Sequence, residues 1–92
     1  MFRATTYPEY IEVDGIATGV MEFDDFLATA REYQQASVNR GPHHRVFVNE
    51  LIVEADPLMN ITLQTGPGSE LDHLVFCNCD FRGLTVTTAE QF

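Results

Sequence analysis

Two histidines and two cysteines are the side chains of this sequence best suited to chemistry. His43-His44 and Cys77-Asn78-Cys79 supply four soft or borderline ligands, the number a tetrahedral zinc ion takes. Their spacing speaks against such a site. Alternate residues on a strand point the same way about 7 Å apart, whereas structural zinc sites usually space cysteines by two to four residues in a turn. The expected arrangement is two small hydrophobic thiols on a strand beside two solvated histidines in a loop. A disulfide between Cys77 and Cys79 would close a strained ring and join no distant parts of the chain, so reduced thiols are expected. Nucleophilic catalysis needs a thiol or hydroxyl held by a base that a third group orients. His73 lies four residues from Cys77 on one expected strand, too far for a hydrogen bond. Ser37 and Ser69 have no motif around them, and Gly66-Pro67-Gly68 lacks the helix start and the lysine of a phosphate loop. No catalytic residue, metal ligand or cofactor is assigned.

Carboxylates are the more abundant resource. Fourteen Asp and Glu stand against five cationic residues, all Arg, for a formal charge of -9 and a pI near 4.4. Arg3, Arg31, Arg40, Arg45 and Arg82 are scattered singly, without the basic stripe that phosphate neutralisation requires, so direct DNA or RNA binding is not expected. Charge of this size concerns solubility, steering and the choice of partner rather than fold. The acids occur in groups: Glu9, Glu12 and Asp14; Glu22, Asp24, Asp25 and Glu32; Glu50, Glu54 and Asp56; Glu70 and Asp72. Glu12 and Asp14 would share a strand face about 7 Å apart, near the spacing of successive phosphates on a nucleic-acid strand. The candidate partner-binding set is Glu9, Tyr10, Glu12, Asp14, Glu22, Asp24, Asp25 and Glu32, with Phe2, Tyr7, Tyr10 and Phe92 as apolar anchors outside the best core pattern. The plain alternative is a solvated acidic surface with no partner.

The elements that must position these groups follow from periodicity. With 45% hydrophobic and 11% aromatic residues the chain is expected to fold, as one domain over 1–92. Tyr10-Ile11-Glu12-Val13 and Ile16–Val20 flank Asp14-Gly15, a turn signal that predicts a β-hairpin. Asp24 is placed as the cap of an amphipathic helix over about 24–38, with Phe23, Phe26, Leu27, Ala30 and Tyr33 inward, ended by Gly41-Pro42. A strand bulged near Asn49-Glu50 is expected over His44–Ala55, a second over Met59–Gln64, a third over Leu71–Phe81 and a short last one over Leu84–Thr88. In the third, Leu74 and Phe76 take one face and His73, Val75, Cys77, Cys79 and Phe81 the other. The expected class is α+β: an antiparallel sheet of about five to six strands with one helix on one face, in the order ββαββββ.

Leu74-Val75-Phe76-Cys77-Asn78, Cys79-Asp80-Phe81-Arg82-Gly83 and Leu84-Thr85-Val86-Thr87-Thr88 align as three five-residue units with an apolar centre. They resemble pentapeptide repeats, a family whose quadrilateral β-helices include acidic DNA-like rods; the resemblance covers about fifteen residues. As a class, a chain this short and acidic, with no cofactor or catalytic motif, resembles the small inhibitors that phages and mobile elements direct against host defence, anti-CRISPR proteins among them. That resemblance rests on no shared motif and carries over no residue. It implies a partner with a basic surface, a host protein or ribonucleoprotein complex, blocked by surface carboxylates that mimic nucleic acid. The rival reading is a self-assembling structural or accessory protein, a homo-oligomer such as a homodimer, joined through a strand edge at Leu84–Thr88 or Tyr10–Val13. No apolar run reaches membrane-spanning length and the first residues lack a signal-peptide pattern, so no membrane contact and a place in the host-cell cytoplasm are expected.

Overall fold

A computed structural model describes residues 2–6, 10–15 and 20–88. Its strands are β1 (Phe2–Thr6), β2 (Tyr10–Gly15), β3 (Met21–Glu22), β4 (Arg45–Asn49), β5 (Ile52–Glu54), β6 (Thr62–Thr65), β7 (Leu74–Cys77), β8 (Asp80–Arg82) and β9 (Thr85–Thr88). One α-helix, α1 (Phe23–Arg40), lies between β3 and β4. The α+β class agrees with the expectation, but the sheet does not. The strands form three small sheets, β1-β2-β4-β7, β3-β5-β8 and β6-β9, and every neighbouring pair except β1 with β2 is parallel.

Parallel pairing arises because the chain turns corners instead of reversing. The expected bulge near Asn49-Glu50 is one such corner. Glu50 takes a left-handed conformation, φ 57°, and chain leaving β4 in the first sheet enters β5 in the second. Asn78, φ 54°, does the same between β7 and β8, and so breaks the single strand expected over Leu71–Phe81. The path β4-β5-β6 is followed by the path β7-β8-β9, laid strand on strand beside it: Val46 is opposite Leu74, Ile52 opposite Asp80 and Thr62 opposite Thr85. Backbone bonds lock the corners together, from the Glu50 N–H to the Cys77 carbonyl at 3.0 Å and from the Asp80 N–H to the Leu51 carbonyl at 2.8 Å. Gly83, φ 76°, passes so near the Ala55 carbonyl that a Cβ there would sit 2.0 Å from the oxygen.

The first hairpin is also differently built. Asp14 and Gly15 are strand residues opposite Arg3 and Phe2, not a turn, and β2 lies between β1 and β4. Tyr10–Val13 is therefore an inner strand and offers no free edge. Of the expected second arm, Ile16–Val20, residues 16–19 lie outside the described residues and Val20 is exposed and not in a strand.

The helix runs slightly longer than its expected span. Glu22 rather than Asp24 precedes it, with no side-chain capping bond, and Asp24 and Asp25 fall in the first turn, where the partial positive charge of the helix end favours them. Phe26, Ala30, Gln34 and Ser37 form its buried side, and it packs against β3, β4, β5 and β7. Phe26 is fully buried, its ring 5.8 Å from that of Phe76 and 5.6 Å from that of Phe81, edge-on to the latter. Inward residues of each path, Val46, Val48, Val53, Leu63 and Leu74 among them, complete the core. Because Phe26 joins the helix to the last path of strand, Phe26→Ala should cost about 3–5 kcal/mol, read as a lower urea midpoint with little change of slope. A loss under 1 kcal/mol would mean that the aromatic cluster does not hold these parts together.

Candidate functional site

The sheet β3-β5-β8 decides where the acids go. Met21, Val53 and Phe81 share one row across it, and Val53 is wholly buried, so the next row points away from the core. That row is Glu22, Glu54, Arg82, all exposed. Neighbouring strands lie about 4.8 Å apart, so Glu22 and Glu54, distant in sequence, carry their carboxylates side by side. Arg82 stands on the other side of Glu54, but its Nε donates to Asp80 Oδ2 at 2.8 Å. Like charges in adjacent strands are unfavourable, and the one Arg of this row, beside two carboxylates, is shared with Asp80 outside it. Asp24 and Asp25 follow Glu22 into the first turn of α1, exposed, and Glu32 sits two turns beyond Asp25 on the same side of the helix.

Of the candidate residues, Glu22, Asp24 and Asp25 are thus brought together, with Glu54 as a partner not foreseen in that role. Glu12 and Asp14 belong to the other sheet, at alternate positions of β2 opposite Phe47 and Asn49. Tyr10 begins the same strand, opposite Arg45. Glu9, Tyr7 and Phe92 lie outside the described residues.

Exposed apolar side chains stand at a place the alternation concealed. Pro57–Met59 forms a 3-10 turn directly after β5, started by Asp56, whose Oδ1 accepts the Leu58 N–H at 2.9 Å, and closed by Asn60 in the left-handed conformation. Leu58 is 90% exposed and Met59 68%. The strand expected over Met59–Gln64 starts later: Met59 belongs to the turn, and the alternation holds only from Ile61 onward, with Leu63 and Thr65 buried. The signal was the Asp-Pro pair, a helix-start cue that fixes the turn ahead of the strand.

The histidines are not solvated neighbours. His43 is exposed, whereas His44 is buried with Ser37 and His73. Ser37 Oγ lies 2.6 Å from His44 Nδ1, 3.0 Å from His73 Nδ1 and 3.0 Å from the His44 carbonyl oxygen. One hydroxyl has one proton and two lone pairs. The assignment that satisfies all three contacts has Ser37 donating to the carbonyl while both imidazoles donate from Nδ1. Gln34 extends the group, donating to Asp72 Oδ1 at 2.6 Å and accepting the His73 N–H at 2.8 Å. His44 Nε2 is buried without a partner. Ser37 is fully buried, with no approach for a carbonyl substrate in this conformation.

Nor do the thiols share a face. The corner at Asn78 turns Cys79 toward the core, donating to the Val48 carbonyl at 3.3 Å, while Cys77 is opposite Asn49 in the row beside buried Val48 and partly buried Phe76. Burial, partly offset by backbone hydrogen bonds, pushes the Cys79 thiol above its ordinary range, which makes it a poor nucleophile at neutral pH. Among the described residues no group of three or more His, Cys, Asp or Glu is placed to hold a metal ion, and no helix is long and apolar enough to cross a membrane. No family model, curated protein or solved structure matches the chain.

The buried imidazole gives the fold a pH dependence of definite sign. Burial first, then the positive charges of Arg40, His73 and Arg45, hold His44 below its ordinary pKa. The unfolded chain takes up a proton near pH 6.5 that the folded state resists, so the contribution is whole above that pH and is lost as the pH falls below it. The melting temperature should therefore drop from about pH 6.5 to about pH 5.5, and His44→Gln should flatten that slope. Equal slopes in the two proteins would show that His44 is not the group responsible.

Proposed function

We propose that this chain is a small acidic inhibitor of the anti-CRISPR kind, which binds a basic surface of a nucleic-acid-handling host protein or ribonucleoprotein complex in the host cytoplasm and occupies it in place of DNA or RNA. The observation that carries the reading is the outward row of β3 and β5. Glu22 and Glu54 stand side by side there, with Asp24 and Asp25 following, although such neighbours repel one another in the free protein. A basic partner relieves that repulsion, so the gain from pairing exceeds that of an isolated surface ion pair. Clustered negative charge also steers encounter, and raises the on-rate at low salt by an order of magnitude or more. Charge sets rate and selectivity rather than anchoring, and Leu58 and Met59, held out on a rigid turn after β5, fill the anchor role. On this reading the pentapeptide-like units of residues 74–88 are the last layer of the platform that displays the acids.

The test is affinity capture from a bacterial extract at about 50 and 200 mM salt, with the retained proteins identified by mass spectrometry. A nucleic-acid-binding complex should be retained at the lower salt and released at the higher. Glu22→Lys with Glu54→Lys should weaken capture at the lower salt about tenfold or more while leaving the circular dichroism unchanged, and Leu58→Ala with Met59→Ala should weaken it similarly there. Asp24→Lys with Asp25→Lys should also weaken it, at a cost to the helix of about 0.3–1 kcal/mol for each residue, since neither is the cap. Capture that survives all three double changes would sink the proposal.

A further inference from the structure

The two ends of the stacked strand paths are not alike. β4, β5 and β6 are followed on one side by β7, β8 and β9, and each of these is the last strand of its sheet. Their free sides therefore all face the same way, and among the described residues no strand pairs with them there. Backbone direction sharpens the point. Asp80 N–H and the Arg82 carbonyl bond toward β5, the His73 and Cys77 carbonyls toward β4, and Thr85 N–H toward β6. By the alternation of a strand, the peptide groups of Phe76, Phe81 and Val86 point to the open side. The same three side chains, with Cys79, line a hollow of about 310 Å³ between the sheets at that end, and Val86 is 39% exposed. An uncapped layer of core thus coincides with an uncapped set of hydrogen-bonding groups, the condition that stacked repeats relieve with a cap.

We infer that a second copy of this chain covers this end, related by a two-fold axis through the middle of β8. Flipping the stack about that axis sets β8 antiparallel to the partner's β8 and brings β7 against the partner's β9. The sequence of β8, Asp80-Phe81-Arg82, is self-complementary in this arrangement. Phe81 faces its own copy with both peptide groups free to exchange hydrogen bonds, and each Asp80 lies opposite the other chain's Arg82. Phe76 meets Val86 on either flank by the same logic. The interface is isologous, so the β7-β8-β9 end closes on itself as a dimer. The 52% exposure of both Asp80 and Arg82 leaves them free to exchange their present internal pairing for a cross-chain one.

The test measures mass by sedimentation equilibrium, with thermal melts to verify folding. The wild-type protein is expected to be dimeric at micromolar concentration. Asp80→Arg alone, or Arg82→Asp alone, places like charges opposite each other twice and should raise the dimer Kd about tenfold or more. The double variant Asp80→Arg, Arg82→Asp should dimerise again, and the two single variants, mixed, should form a heterodimer. A wild-type protein that is monomeric at hundreds of micromolar overturns the inference, as does a dimer indifferent to either single change. Removal of residues 89–92 that converts a monomer into a dimer would also overturn it, by showing that the chain's own tail covers the end.

Discussion

Glu50 and Asn78, both in the left-handed backbone region, set the course of the chain from the helix onward. A residue other than glycine held there costs about 1–3 kcal/mol, and persists only where its surroundings leave no alternative. Here the surroundings are each other. The Glu50 N–H bonds to the carbonyl of Cys77, next to Asn78, so one corner sits on the other and the strands on either side of both stay in register. If either corner relaxed to a bulge or a hairpin, β8 would leave β5, Cys79 and Phe81 would change sides, and Phe26 would lose one of its three aromatic neighbours.

How much of this could be read from residue order depends on the range of the cause. The helix was legible because its determinants are local: Phe23, Phe26, Leu27, Ala30 and Tyr33 recur at helical spacing, and Gly41-Pro42 stops it. The strand segments were legible as extended chain for the same reason. Their partners were not. Val46 and Val48 pair with Leu74 and Phe76 in parallel only because Glu50 turns the chain aside, and glutamate carries no turn preference that would announce it. Asp14-Gly15 shows the converse, a strong local turn signal overridden once β2 has a neighbour on each side. At the site, Glu22, Asp24 and Asp25 were visible as a group, but their meeting with Glu54 is a product of register. His44 reads as a loop residue because the residues that meet it, Ser37 of α1 and His73 just ahead of β7, come from separate parts of the chain.

Polar groups in this small protein follow two opposite arrangements. Inside, Gln34, Ser37, His44, Asp72 and His73 form a nearly closed set in which almost every donor has a named acceptor, the condition under which buried polarity specifies a structure rather than weakening it. Outside, the carboxylates of β3, β5 and the first helical turn stand together on an exposed face. The interior ties α1 to the starts of β4 and β7; the exterior row depends on that tie, since Glu22 is the last residue before the helix.

Stacking in parallel has a kinetic consequence for the nascent chain. Each strand path is made whole before the one that covers it, so a polypeptide leaving the ribosome shows the uncovered edges of β4–β6 until β7–β9 has been synthesised. Contacts so far apart in sequence form slowly. During that interval the acidic residues along the path act as a brake on encounters between incomplete copies, a use for charge that would be needed most before the protein is finished.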